Sequence, residues 1–244
     1  MKVKLTISYD GTAYCGWQIQ PNGITVQQVI EDALEKVTGT RLKVVGSGRT
    51  DAGVHAKGQV AHFETPCDNI PADKFCFAIN AHLPIDIRVL KSELVEDDFC
   101  AIRSAKRKTY AYSIYQSKIE KPLKERYAFN VERKLDIEKM KSASKVFLGE
   151  HDFKAMCASG SGAKTTVRTI FDLQIIEEDE DITILVCGNG FLYNMVRIMV
   201  GTLIEVGLGK MSIEDLENLL KSKKRNDTIR TLPAKALCLI NVEY

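Results

Sequence analysis

The chain has 244 residues, of which 45% are apolar and 27% charged, and its formal charge is +2. That length supports a sizeable core, as one large domain or two fused halves, and the near-even charge excludes a strongly basic tail, so any nucleic-acid surface has to be local. Seven cysteines with no C-x-x-C spacing, and four scattered histidines, argue against a disulfide framework or a metal centre and for free thiols in a reducing compartment.

Lys2 to Tyr9 alternate, with Val3, Leu5, Ile7 and Tyr9 on one face, which predicts a half-buried strand where a signal peptide would carry an apolar run; the expectation is a cytoplasmic protein. Asp10-Gly11 turns the chain. Thr25 caps a helix with apolar positions at Val26, Val29, Ile30, Ala33, Leu34 and Val37, and Gly39 stops it. Val44-Val45 leads into Gly46-Ser47-Gly48-Arg49-Thr50-Asp51-Ala52-Gly53-Val54-His55, and Gln59 to Glu64 reads as a strand leaving that loop. A helix ends near Pro84, and Asp86 to Val95 reads as a further strand.

The loop around Asp51 is where an active site belongs. Glycine at this density suits a backbone that turns sharply or approaches a ligand, and Asp51 is the only acid between Glu35 and Glu64. A solvated turn is the plain reading of Asp-Ala-Gly. A phosphate loop fails, because the last G-x-G-x-x-G position is Asp51 itself. An aspartic protease needs two carboxylates sharing a proton, and hence a homodimer, since no second D-[ST]-G occurs.

From Arg103 the character changes, with Arg103, Lys106, Arg107 and Lys108 running into Thr109-Tyr110-Ala111-Tyr112. Lys108, Tyr110, Tyr112 and Ile114 share one face of a strand. Cations beside rings suit RNA, as phosphate partners and as a stacking surface; a basic solvated edge running into a core strand is the alternative. Asp136 opens an amphipathic helix through Phe147, Thr165–Ile176 and Ile182–Cys187 read as strands, and a nearly continuous apolar helix is expected from Gly188 to Val206. That helix is too short, with Arg197 too near its middle, to span a membrane. Buried among apolar residues, Arg197 either leads its guanidinium to the surface or pairs with a carboxylate, Asp51 being the sharper choice. Ser212 and Asp215 start a last helix in capping-box fashion, and Ala236 to Tyr244 reads as a final strand.

Gly46 to Ala56 followed by Gly58-Gln59-Val60-Ala61 closely resembles the catalytic motif of the tRNA pseudouridine synthase A family, and Tyr9-Asp10-Gly11-Thr12-Ala13-Tyr14 with Gly16-Trp17-Gln18 resembles its N-terminal signature. The resemblance implies an α+β pseudouridine synthase fold: two similar α/β halves, residues 1–103 and 104–244, forming a mixed, largely antiparallel eight-stranded sheet flanked by helices. It implies an isomerase that converts uridine to pseudouridine at positions 38, 39 and 40 of the tRNA anticodon stem-loop, acting as a homodimer with no metal and no small-molecule cofactor. By the same resemblance Asp51 is the catalytic acid, as nucleophile at C1′ or as base on a sugar proton. Arg197 lies beside it, and Tyr110 of the K-x-Y motif Lys108-Thr109-Tyr110 contacts the target base. Lys108 is assigned to the substrate, as is Arg49, which is also the other candidate partner of Asp51.

Two stretches depart from the family pattern. Phe99-Cys100-Ala101-Ile102 lacks the His and Arg of F-H-A-R, and Arg103, one step on, would face the other way on a strand. Ile229 to Leu237 keeps only part of G-P-T-A-P-A-x-G-L. These changes bear on substrate range, so the alternative is a divergent paralogue that binds or folds tRNA without catalysis, or modifies other RNA positions.

Overall fold

Val3, Leu5 and Ile7 of the alternating N-terminal run are fully buried, and that run forms β1 (Lys2–Tyr9). The computed structural model describes residues 1–226 and 228–244. In chain order there follow α1 (Val26–Thr38), β2 (Val45–Gly46), β3 (His55–Glu64), α2 (Phe75–Asn80) and β4 (Ile87–Val95). The second stretch holds β5 (Arg107–Tyr115), β6 (Phe129–Asn130), α3 (Ile137–Ser144), β7 (Gly149–Asp152), β8 (Val167–Glu178) and β9 (Asp181–Gly188), then α4 (Met195–Gly207), α5 (Ile213–Ser222) and β10 (Leu237–Glu243). Among the described residues these make ten strands and five helices, a mixed α+β arrangement. Eight strands are longer than two residues, the number the resemblance implies.

Two units divide the chain: residues 1–106 with 238–244, and residues 107–237. The break falls three residues later than the expected one, and the last strand returns to the first unit rather than completing the second. It does so because β10 runs parallel to β3, with Cys238 opposite His55 and Leu239 opposite Ala56.

In the first unit the strands lie in the order β4-β1-β3-β10, with β1 antiparallel to both neighbours and β2 beside β3. Thr25 caps α1 by accepting from the Gln28 N–H, and Gly39 ends it at φ 71°, a left-handed turn that glycine adopts without a Cβ penalty. Ile30 and Leu34 of α1 and Phe75 of α2 are fully buried. In the second unit the order is β5-β9-β8-β7, all antiparallel, with β6 parallel to β5. Its core is built by Tyr112, Ile184, Val186, Phe147, Phe153, Met199 and Leu203. Asp136 and Ser212 cap α3 and α5, the latter with the full capping box.

The apolar helix begins later than its sequence predicts. Gly188 still belongs to β9, and Asn189 stays tied to β8, its N–H donating to the Thr169 carbonyl and its side-chain Oδ1 accepting from the Thr169 N–H, each at 3.0 Å. Asn194 then takes φ 59°, and α4 starts at Met195. Polar Asn189 and two glycines favour extended and turn geometry over the helix that the following apolar run prefers. Conversely, β3 starts at His55, four residues ahead of the expected Gln59.

Candidate active site

Main-chain bonds fix the Asp51 loop. The Ser47 N–H donates to the Val60 carbonyl at 2.7 Å and the Gln59 amide to the Gly48 carbonyl at 3.1 Å, while the Ser47 hydroxyl donates to Gln59 Oε1 at 2.7 Å. At the tip the Val54 N–H returns to the Asp51 carbonyl at 3.1 Å, closing a turn with Gly53 at φ 79°. Asp51 is half-buried and Arg49 exposed, whereas Thr50 between them is buried.

The N-terminal signature forms the wall behind this loop. The Trp17 N–H donates to the Thr50 carbonyl at 3.1 Å, and the Tyr9 hydroxyl meets Thr50 Oγ1 at 2.8 Å. A methyl group at Gly16 would overlap the Thr50 carbonyl, one at Gly11 the Val54 carbonyl, and one at Gly46 the Trp17 ring. Glycine at Gly11 and Gly16 lets two backbones touch, and at Gly46 it admits the Trp17 ring. The segment also starts α1, since the Gln27 N–H donates to the Trp17 carbonyl at 3.0 Å, so the helix anchors the wall and the wall anchors the acid.

In the second unit β5 presents Lys108 and Tyr110. The buried Tyr110 ring meets Phe191 edge-on, 5.2 Å between centroids at 87°. Burial, and secondarily the positive charge of Arg168, push the Lys108 ammonium down from its ordinary 10.5 to about 8. Arg197, in the first turn of α4, donates through Nε to the Leu232 carbonyl and through Nη1 to Asn194 Oδ1, both at 2.6 Å. The Tyr112 hydroxyl donates to the Pro233 carbonyl at 3.0 Å; burial raises its pKa well above the tyrosine range, opposed by the Arg197 charge. A methyl at Gly201 would overlap the Arg230 carbonyl. The 229–236 strap therefore crosses α4 closely and holds Arg197 and Tyr112 with main-chain oxygens. Side-chain changes there leave those acceptors in place, which explains how this stretch departs from the family pattern without losing its hold on Arg197.

The other departure is a closed corner of the first unit. Ala101 is buried, its N–H donating to His62 Nδ1 at 3.2 Å and its carbonyl accepting from the Tyr244 hydroxyl at 2.9 Å. Phe99 packs against His62 and Tyr244, with ring centroids 5.8 and 5.0 Å apart. Cys100 is half-buried, and its thiol is held below the usual range chiefly by the Arg103 N–H; Ile102 and Arg103 are exposed.

A sequence profile described as tRNA pseudouridine synthase matches residues 5–103 and 143–244. The chain belongs to the tRNA pseudouridine synthase family. Its enzymes are isomerases that turn uridine in tRNA into pseudouridine, and this one is such an isomerase. Over 242 residues it is 48% identical to tRNA pseudouridine synthase A of Acetivibrio thermocellus, covering 99% of each chain. It is also 48% identical to the protein of the same name from Syntrophotalea carbinolica, covering 99% of this chain and 96% of that one. The enzyme is 47% identical to tRNA pseudouridine synthase A 2 of Clostridium perfringens, with 99% of each covered. Among the described residues no helix is long and apolar enough to cross a membrane.

Asp51 and Arg49 thus share one loop of the first unit, while Lys108, Tyr110 and Arg197 lie in the second. Sequence reasoning missed Phe191, Asn194 and Arg168. Gly188-Asn189-Gly190 was the available signal for Phe191, because a methyl at Gly188 would lie 3.2 Å from Phe191 Cζ; glycine makes room for that ring.

Proposed function

We propose that this enzyme isomerises uridines 38, 39 and 40 in the anticodon stem-loop of tRNA, with Asp51 as the acid acting on the ribose. The bond from uracil N1 to C1′ breaks, the base turns, and C5 bonds to C1′ while the C5 hydrogen leaves as a proton and N1 regains one. The reaction is redox-neutral, and it requires the nucleotide to leave its stack, at a cost of a few kcal/mol. Asp51 either attacks C1′ or removes a sugar proton; both need an ionised carboxylate held still. Arg197 charge-balances Asp51, Tyr110 stacks on or orients the uracil, and Arg49 and Lys108 contact the RNA. The enzyme works in the cytoplasm as a homodimer.

One observation carries this reading: the Asp51 carboxylate sits half-buried at the tip of a loop whose main chain is tied to β3 and to the Tyr9–Trp17 wall. Such fixing of a reacting group is what converts proximity into rate. Tritium release from [5-³H]uridine-labelled tRNA, with the modified positions mapped, tests it. Release by the wild type at positions 38 to 40, abolished by Asp51→Asn, is the expected result. Undiminished release by that variant would falsify the role of Asp51, and binding without release would leave a tRNA-binding protein.

A further inference from the structure

Beside the Tyr110–Phe191 ring pair the strands bring two cations to the neighbourhood of Gly188, over which Ile170 and Phe191 close, a methyl there lying 3.0 Å from Ile170 Cδ1 and 3.2 Å from Phe191 Cζ. Lys108 on β5 stands opposite Gly188 of β9, and Gly188 stands opposite Ile170 of β8, two residues beyond Arg168. The side of β9 that lies between the cations ends in Gly188-Asn189-Gly190. The two charges are close enough for Arg168 to help depress the Lys108 ammonium.

Arg168 itself is half-buried and oriented. Its Nη1 donates to the main-chain oxygens of Thr165 at 2.9 Å and Val167 at 2.6 Å, which fills that nitrogen and fixes the guanidinium plane. Its Nε lies beside Gly190, where a methyl would be 3.6 Å from Nε and 3.8 Å from Cδ. No carboxylate pairs with this guanidinium among the described residues. Two cations placed together, one a guanidinium whose Nη1 is taken by main-chain oxygens and whose Nε lies beside a glycine, form a receptor for an anion with paired oxygens. The anion of an RNA substrate is its phosphodiester, and the adjoining rings are where a base would lie.

We propose that Arg168, with Lys108, binds the RNA phosphodiester next to the uridine that is isomerised. This rests on the reading of the enzyme as acting on tRNA through the Tyr110 face. Arg168 grips two phosphate oxygens through Nε and Nη2, Lys108 supplies a point charge, and the ring pair holds the base attached to that phosphate. The site thereby sets which nucleotide of the loop is presented.

The test is a cycle between protein and RNA, using an anticodon-arm RNA already carrying pseudouridine, so that no turnover occurs during binding. Arg168→Gln should weaken binding about tenfold and lower the slope of log Kd against log salt by about one. A methylphosphonate, which removes one phosphate charge, should cost the wild type a similar factor at a linkage flanking the target and cost Arg168→Gln nothing more there. Arg168→Lys should restore the salt slope but only part of the affinity, because an ammonium cannot bond bidentately. Thermal melting of both variants near that of the wild type separates this from misfolding. Unchanged Kd and slope in Arg168→Gln, or full additivity with every methylphosphonate, overturns the proposal. Tritium release by the wild type reads the catalytic assignment separately: active enzyme without the coupling removes the phosphate site alone, and coupling without release removes the reaction alone.

Discussion

The Asp51 loop and the Arg197 corner are held by opposite means. The loop is positioned by backbone approach, through its own backbone bonds and glycines that admit the Tyr9–Trp17 wall. Arg197 is positioned by distant main chain, its Nε held by a carbonyl 35 residues away and its Nη1 by Asn194. Where backbone conformation does the positioning, nearly every residue type is constrained. Where a carbonyl does it, the residues of the strap are free to change so long as the chain passes the same point.

The largest effect that would sharpen this contrast is at Asp51. Asp51→Asn should lower pseudouridine formation by about 10³-fold or more while moving stability by under about 0.5 kcal/mol, because the loop is fixed by other groups. Rate and melting temperature measured on the same preparation check it.

Next comes the wall. Gly16→Ala places a Cβ at φ 82° against the Thr50 carbonyl and should cost about 2–4 kcal/mol in denaturant unfolding, with activity falling in parallel. Gly39→Ala is the control: φ is 71° but nothing lies within 4 Å, so about 1 kcal/mol and unchanged activity are expected. Equal costs at both sites would break the argument that close approach, rather than dihedral angle, holds the loop.

Asn194→Gly keeps access to the left-handed conformation at φ 59° and removes the acceptor for Arg197. Turnover should fall about tenfold, the value of one charge-assisted hydrogen bond, with melting shifted only slightly. Retained turnover would mean that the Leu232 carbonyl suffices.

The smallest effect is the pH response of Lys108. Its folded pKa of about 8 lies below the ordinary 10.5, so the unfolded chain binds more protons between those values and this group makes stability rise with pH across that window. RNA contact needs the charged form, so tRNA affinity should decline as pH passes about 8. Lys108→Arg should flatten that decline; an identical profile in both proteins would remove Lys108 from the RNA contact.

Phe191 and Arg168 show why part of the site stayed hidden in the sequence. They lie 81 and 60 residues along the chain from Tyr110 and Lys108 respectively, counting from 110 to 191 and from 108 to 168. Only the β5-β9-β8 register sets them beside β5, and that register depends on which strands pair. The late start of α4 has the same origin, since the Asn189–Thr169 bonds that prolong β9 join residues 20 apart.

By itself the sequence determined the strand and helix periods, the caps at Thr25, Asp136 and Ser212, and the glycine-rich turn around Asp51, because each is specified by neighbours within a few residues; the Tyr9–Trp17 wall that holds that turn comes from a separate stretch of the chain. The tertiary structure alone decided that β10 returns to the first unit, that a strap of carbonyls holds Arg197, and that Arg168 and Phe191 gather beside Tyr110. Those are choices among long-range pairings, made by burial and by satisfying main-chain hydrogen bonds over the whole chain, and no local run of residues encodes them.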